Sequence, residues 1–173
     1  CLARRLDYMG LGRKEFPKYQ KMRAAMTFGN RMYLGTGTEK LVAPSFKDSV
    51  ARAGWCWGAT SFDFDNDGDW DIYVANGMRS GKSVRDYCTR FWTHDVYVKN
   101  KVPNIAFGIF SVNVHKKIGP VWSWNGYEHN RLYMNNSGKG FMNVSFLMDV
   151  AYEFDSRAIV SDDLDMDGRP DLL

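Results

Sequence analysis

DFDNDGDWD, Asp63 to Asp71, runs straight into the apolar Ile72, Tyr73 and Val74, and its reading decides the fold of this 173-residue chain. Five aspartates in nine residues repel one another across a few ångströms, so compact folding of the loop calls for a cation. Asp63, Asp65 and Asp67 stand at positions 1, 3 and 5 of a calcium-loop spacing. Gly68 at position 6 permits the sharp turn, Asp69 at position 7 offers its backbone carbonyl, and Asp71 at position 9 closes the cage. A solvated Asx turn is the common alternative for such a cluster; the alternation of carboxylates ahead of a correctly placed glycine separates the two. An EF-hand needs Glu at position 12 and a following helix. Here position 12 is Val74, inside a run suited to a strand.

Working outward, the loop proves to be one of two. Asn30, Arg31, Tyr33 and Leu34 recur as Asn130, Arg131, Tyr133 and Met134; Ser45 and Phe46 recur as Ser145 and Phe146; Val50 and Ala51 recur as Val150 and Ala151. The same spacing of 100 residues carries the acidic loop onto DLDMDGRPD, with Asp163, Asp165, Asp167, Gly168 and Asp171 at the equivalent positions. Arg169 occupies position 7 and supplies only its carbonyl, so the side chain of Asp69 is expected to be dispensable. About two calcium sites are expected.

Each unit reads as an Asn-Arg-x-Tyr strand, a Gly/Ser/Asn turn, a strand around the shared Phe and Val-Ala, a strand ending in the acidic loop, and a last apolar strand. Four strands with a fixed loop describe a β-propeller blade. On these motifs the chain resembles the FG-GAP/VCBS repeat family, whose calcium-bearing blades occur in integrin α-subunits and secreted bacterial proteins. GWCWGATSFDFDNDGDWDIYVANG and the NRLYMNNSGKGF to DLDMDGRPDLL stretch resemble its cartilage acidic protein 1 group. The resemblance covers about residues 30–78 and 130–173. It implies that the aspartates of both loops ligate calcium, and that the chain is an all-β, extracellular, cell-surface or periplasmic module, non-enzymatic, for adhesion, protein interaction or assembly; a carbohydrate-binding module or an accessory domain of a larger secreted enzyme is the alternative expectation.

Four segments follow: a basic, partly helical arm over 1–29, a blade over 30–78, an insertion or divergent blade over 79–129, and a second blade over 130–173. Two units cannot close a ring, since propellers typically need about 4 to 8 blades. The expectation is either a piece of a longer polypeptide or assembly of several copies, with a protein partner or homo-oligomer implied. Within 79–129, IAFGIFSVNVH alternates Ile109, Ser111 and Asn113 with Phe110, Val112 and Val114, as in a strand.

The remaining composition narrows the function classes. Net charge is +3, with the acids concentrated in loops and the bases spread elsewhere, and shows no nucleic-acid signature. No apolar run approaches the roughly 20 residues of a membrane span, and no signal peptide is present; Cys1 also fits an acylated lipoprotein terminus. Cys56 and Cys88 flank the loop and its strand and read equally as a disulfide or as two buried thiols. His94 beside Asp95 and His129 beside Glu128 read as packing residues rather than catalytic bases, and GMRSGKS is one residue short of a phosphate-binding loop. Trp55 and Trp57, and Trp122 and Trp124, share a face in pairs; they fill the wedge between blades or form a platform for a glycan.

Overall fold

The computed structural model describes residue 22 and residues 29–88 and 105–173. The expected arm over 1–29 lies outside the described residues except for Met22 and Gly29, as do Trp92, His94 and Asp95. The chain divides into two units, Cys1–Arg52 and Ala53–Leu173.

In the first unit, β1 (Leu34–Gly35) and β2 (Leu41–Val42) form an antiparallel hairpin with Leu34 opposite Val42. The turn is held by Thr36 Oγ1, which donates to the Lys40 carbonyl at 3.0 Å, and Gly37 takes a left-handed φ of 73° there. A run of turns follows, and Asn30 N–H donates to the Ala51 carbonyl at 2.9 Å, drawing its end back to the start of the unit. Gly29 is required at that closure: its φ is 131°, and a Cβ would lie 1.7 Å from the Ala51 carbonyl oxygen.

The second unit holds a four-stranded antiparallel sheet in the order β3 (Cys56–Phe62), β4 (Asp71–Asn76), β5 (Arg131–Asn135), β6 (Phe141–Asn143). Alternation along CWGATSF gives β3 one covered face, whereas the continuous apolar run of β4 is buried on both faces, as a central strand should be. A separate hairpin joins β7 (Ser161–Asp162) and β8 (Asp171–Leu172). The chain is thus mostly β, with antiparallel pairing throughout the named strands.

The sheet is cut differently from the repeat. It takes two strands from residues 30–78 and two from residues 130–173, so a four-stranded sheet straddles the two sequence units. Hairpins, rather than whole repeats, are what the 100-residue spacing conserves. Leu34 opposite Val42 becomes Met134 opposite Met142, and Phe62 opposite Asp71 becomes Asp162 opposite Asp171. Phe62, Tyr73 and Leu132 form the buried centre of the sheet, with Phe64, Val144, Val150, Ile159 and Leu172 packed around them.

IAFGIFSVNVH is a helix, α1 (Ile105–His115), and not the expected strand. Eleven residues without a proline or a turn cluster suit either element, and alternation over so short an apolar run does not separate the two. Packing decides the matter. Ile109 and Val112 are exposed while Val114 is buried, and Val114 joins Ile118 and Trp122 in a second small core with Tyr87 and Trp124. The segment 105–129 returns to the sheet region through bridges from Arg79 to Trp124 and Asn125.

Replacing Leu132, which is fully buried, by Ala is expected to cost about 2–5 kcal/mol, because the rigid sheet face cannot close the resulting cavity. Urea unfolding checks this; a loss under about 1 kcal/mol would place the core elsewhere.

Candidate metal centre

Both acidic loops connect the strands of a hairpin, β3 to β4 and β7 to β8, and they share one framework of internal hydrogen bonds. Asp63 Oδ1 accepts from Asp67 N–H at 3.0 Å and its Oδ2 accepts from Gly68 N–H at 2.9 Å; Asp163 does the same for Asp167 at 3.0 Å and Gly168 at 2.9 Å. Asp67 Oδ1 takes the N–H of Asp69, and Asp167 Oδ1 that of Arg169. Position 4 is left-handed in both, with φ of 58° at Asn66 and 60° at Met166, and Gly68 and Gly168 follow at 89° and 87°. Asp71 Oδ2 accepts from Phe64 N–H at 2.9 Å and Asp171 Oδ2 from Leu164 N–H at 3.0 Å.

This folding brings Asp63, Asp65 and Asp71 together, with one carboxylate oxygen of each within 4.8 Å of the others, and likewise Asp163, Asp165 and Asp171. The trio offers only hard oxygen donors, the chemistry of calcium or magnesium rather than of zinc or copper. Asp67 and Asp167 stand outside the trios and spend one oxygen on closing the turn. No other group of three or more His, Cys, Asp or Glu side chains is placed to hold a metal among the described residues.

The electrostatics of the first loop carry the mark of crowded negative charge. Desolvation, and then the Asp67 and Asp71 charges, raise the carboxyl of Asp65 above its ordinary value. Desolvation and then Asp67 raise Asp69, against the opposing pull of the Ser137 N–H. Asp69 Oδ1 is buried and lacks a hydrogen-bond donor, an acceptor whose satisfaction calls for a cation or a water.

The Asp69 side chain has a structural task after all. Its Oδ2 accepts from Ser137 N–H at 2.9 Å, so it grips the β5–β6 turn. Asp71, 1% exposed, reaches the same hairpin: its Oδ1 accepts from Asn135 N–H at 2.8 Å. Sequence reasoning missed both ties because the donors are backbone amides 64 and 68 residues away, and no side-chain pattern announces them.

The other candidate residues resolve as packing or as simple pairs. His129 pairs with Glu153 at 3.2 Å rather than with Glu128, places Nδ1 3.0 Å from the Ala151 carbonyl, and stands edge-on to Phe146. Glu128 instead accepts from Trp55 N–H and from Asn125 Nδ2. His115 packs beside Tyr87 and Trp124. Cys56 and Cys88 are half-buried and not joined in a disulfide, and the Cys88 thiol donates to Asn125 Oδ1 at 3.3 Å. Of the tryptophans, Trp122 is buried, Trp55 packs edge-on against Trp124, and the face of Trp57 is covered by the Arg157 guanidinium at 4.9 Å. No described helix is long and apolar enough to cross a membrane. The chain matches no family model, no curated protein and no solved structure.

Two substitutions probe the loops. Asp71→Asn keeps the shape but replaces one acceptor by a donor, leaving a buried backbone N–H unsatisfied; the expected loss is about 1–3 kcal/mol in urea unfolding, with Asp171→Asn costing less. Met166 holds a left-handed conformation that a side chain without local hydrogen bonding disfavours. Met166→Asn is therefore expected to stabilise by about 0.5–1 kcal/mol, and a destabilised variant in thermal unfolding would contradict this account.

Proposed function

We propose that the chain is a calcium-stabilised, non-enzymatic β-propeller module of the FG-GAP/VCBS kind, working outside the cytoplasm in protein interaction or assembly. The observation that carries this reading is the two loops themselves: 100 residues apart, they repeat the same hydrogen bonds and each gathers three carboxylates within 4.8 Å. A single acidic turn has many explanations. Two with one geometry, each in a hairpin crossover and each built only of oxygen donors, have a common demand, and a hard divalent cation meets it.

Within this reading Asp63, Asp65 and Asp71 hold one ion, and Asp163, Asp165 and Asp171 the other. The ion supplies positive charge that offsets carboxylate repulsion; the chain's own part is to hold the trio in place. Asp63 and Asp163 do so by accepting two loop amides each, and Asp71 by joining loop to sheet. Metal binding is then coupled to folding. Millimolar extracellular calcium suits sites of modest affinity, which supports the assignment outside the cytoplasm.

Calorimetric titration is expected to find two calcium ions per chain, and thermal unfolding a midpoint that falls when EDTA is added. An unchanged midpoint would sink the structural role. The pH dependence follows from the raised carboxyls of Asp65 and Asp69. In ion-free protein their contribution to stability is present below the unfolded value of 3.8 and lost as pH rises through the higher folded value. Calcium reverses the balance, since only ionised ligands bind it, so affinity is expected to weaken on acidification; titrations at two pH values check the sign.

A further inference from the structure

Two places in the chain carry the pattern Asn, any residue but proline, then Ser: Asn135-Asn136-Ser137 and Asn143-Val144-Ser145. That pattern is the acceptor signal for an N-linked glycan, and it has meaning where the asparagine stands on the surface of a protein outside the cytoplasm. The two asparagines are placed differently. Asn135 is engaged on every side: its backbone N–H donates to Asp71 Oδ1, its Nδ2 donates to the Trp70 carbonyl at 3.1 Å, and its Oδ1 accepts from Gly138 N–H at 3.0 Å. A sugar on that Nδ2 would have to enter the contact between the β5–β6 turn and the acidic loop.

Asn143, the last residue of β6, is exposed. Its Oδ1 accepts from Ser145 N–H at 3.1 Å and from Ser145 Oγ at 2.6 Å, while among the described residues its Nδ2 donates to no protein acceptor. The repeat does not require this asparagine. At the equivalent positions the first copy has Ala43 and Pro44 ahead of Ser45, and Pro44 would cancel the signal even with an asparagine before it. Ser145, by contrast, is built into the fold: it is fully buried, and its Oγ accepts from Leu132 N–H at 2.7 Å. An exposed asparagine two residues ahead of a structural serine is thus an addition specific to the second copy.

We propose that Asn143 is the acceptor for an N-linked oligosaccharide donated by a polyprenyl-diphosphate carrier. The new bond joins Nδ2 to the anomeric carbon of the first sugar. The bond from that carbon to the carrier's phosphate oxygen breaks, the diphosphate leaves with the electron pair, and Nδ2 gives up one of its two protons to solvent. Because the Ser145 hydroxyl of the signal is buried in the finished fold, the transfer takes place on the nascent chain, before Leu132 and Ser145 come together. Folding then leaves the glycan at the surface, where its bulk is tolerated. The proposal rests on the extracytoplasmic placement argued above.

Translating the full chain behind an added, cleavable secretory leader in the presence of endoplasmic-reticulum microsomes tests it, since the leader makes entry independent of where the chain works. The Asn135→Gln chain should still show a gel shift that peptide N-glycosidase reverses, and the double variant Asn135→Gln, Asn143→Ala should show none. Mass spectrometry of the deglycosylated chain should find residue 143 converted from Asn to Asp. The glycosylated chain should unfold on heating no earlier than the deglycosylated one. An unshifted chain, a glycan confined to Asn135, or a glycosylated chain that unfolds earlier would overturn the proposal. Adding EDTA separates its failure from that of the calcium module: a chain bare at Asn143 with an EDTA-sensitive midpoint loses only the acceptor, and a glycosylated chain with an insensitive midpoint loses only the structural ion.

Discussion

The buried carboxylate of Asp71 is the point on which the second unit depends. One oxygen accepts an amide from its own loop and the other an amide from β5, while the group as a whole belongs to the acidic trio. A carboxylate at 1% exposure is costly unless both oxygens are satisfied, and here the satisfying donors come from two hairpins. Loop shape and strand pairing therefore meet in one side chain, which also belongs to the acidic trio. Displacing β5 would strip Asp71 of a donor, and opening the loop would strip it of the other. Cooperation between the hairpins follows from that shared acceptor, backed by the apolar contact of Phe62, Tyr73 and Leu132 beneath it.

The repeat takes its meaning from the same arrangement. Because a loop-bearing hairpin presents a carboxylate to the hairpin that follows it, the natural packing unit joins the end of one sequence repeat to the start of the next. The straddling sheet places the core in β3 to β6, where the central strands β4 and β5 each have a neighbour on both sides. Tyr33 is 55% exposed, whereas its counterpart Tyr133, opposite Ile72 in the sheet, is 4% exposed.

Much of this was legible in the residues, and the limits have physical causes. Loop positions showed through because a carboxylate cage demands particular residues at particular steps, and the 100-residue repeat identified them twice. Strand β4 showed through its unbroken apolar run. The pairing of hairpins did not, since ladder bonds use backbone groups that every residue carries. Helix α1 was not legible as a helix because alternation and helical period fit an apolar run of eleven residues equally well. The pairing of His129 with Glu153 was hidden for another reason: adjacency in sequence favoured Glu128, but Trp55 and Asn125 claim that carboxylate.

Where the two copies differ is as informative as where they agree. Asp at positions 1, 3, 5 and 9 and Gly at position 6 are the same in both loops, and in each the position-1 carboxylate accepts the amides of positions 5 and 6. Position 7 differs, Asp69 against Arg169, and it is the position whose side chain points at a hairpin turn rather than closing its own loop. Position 4 differs as well, Asn66 against Met166, and there the change costs backbone comfort without touching a carboxylate. The loop is thus held constant by its internal bonds, while position 7 varies, where in the first copy the side chain leaves the loop to accept the Ser137 N–H of a hairpin turn.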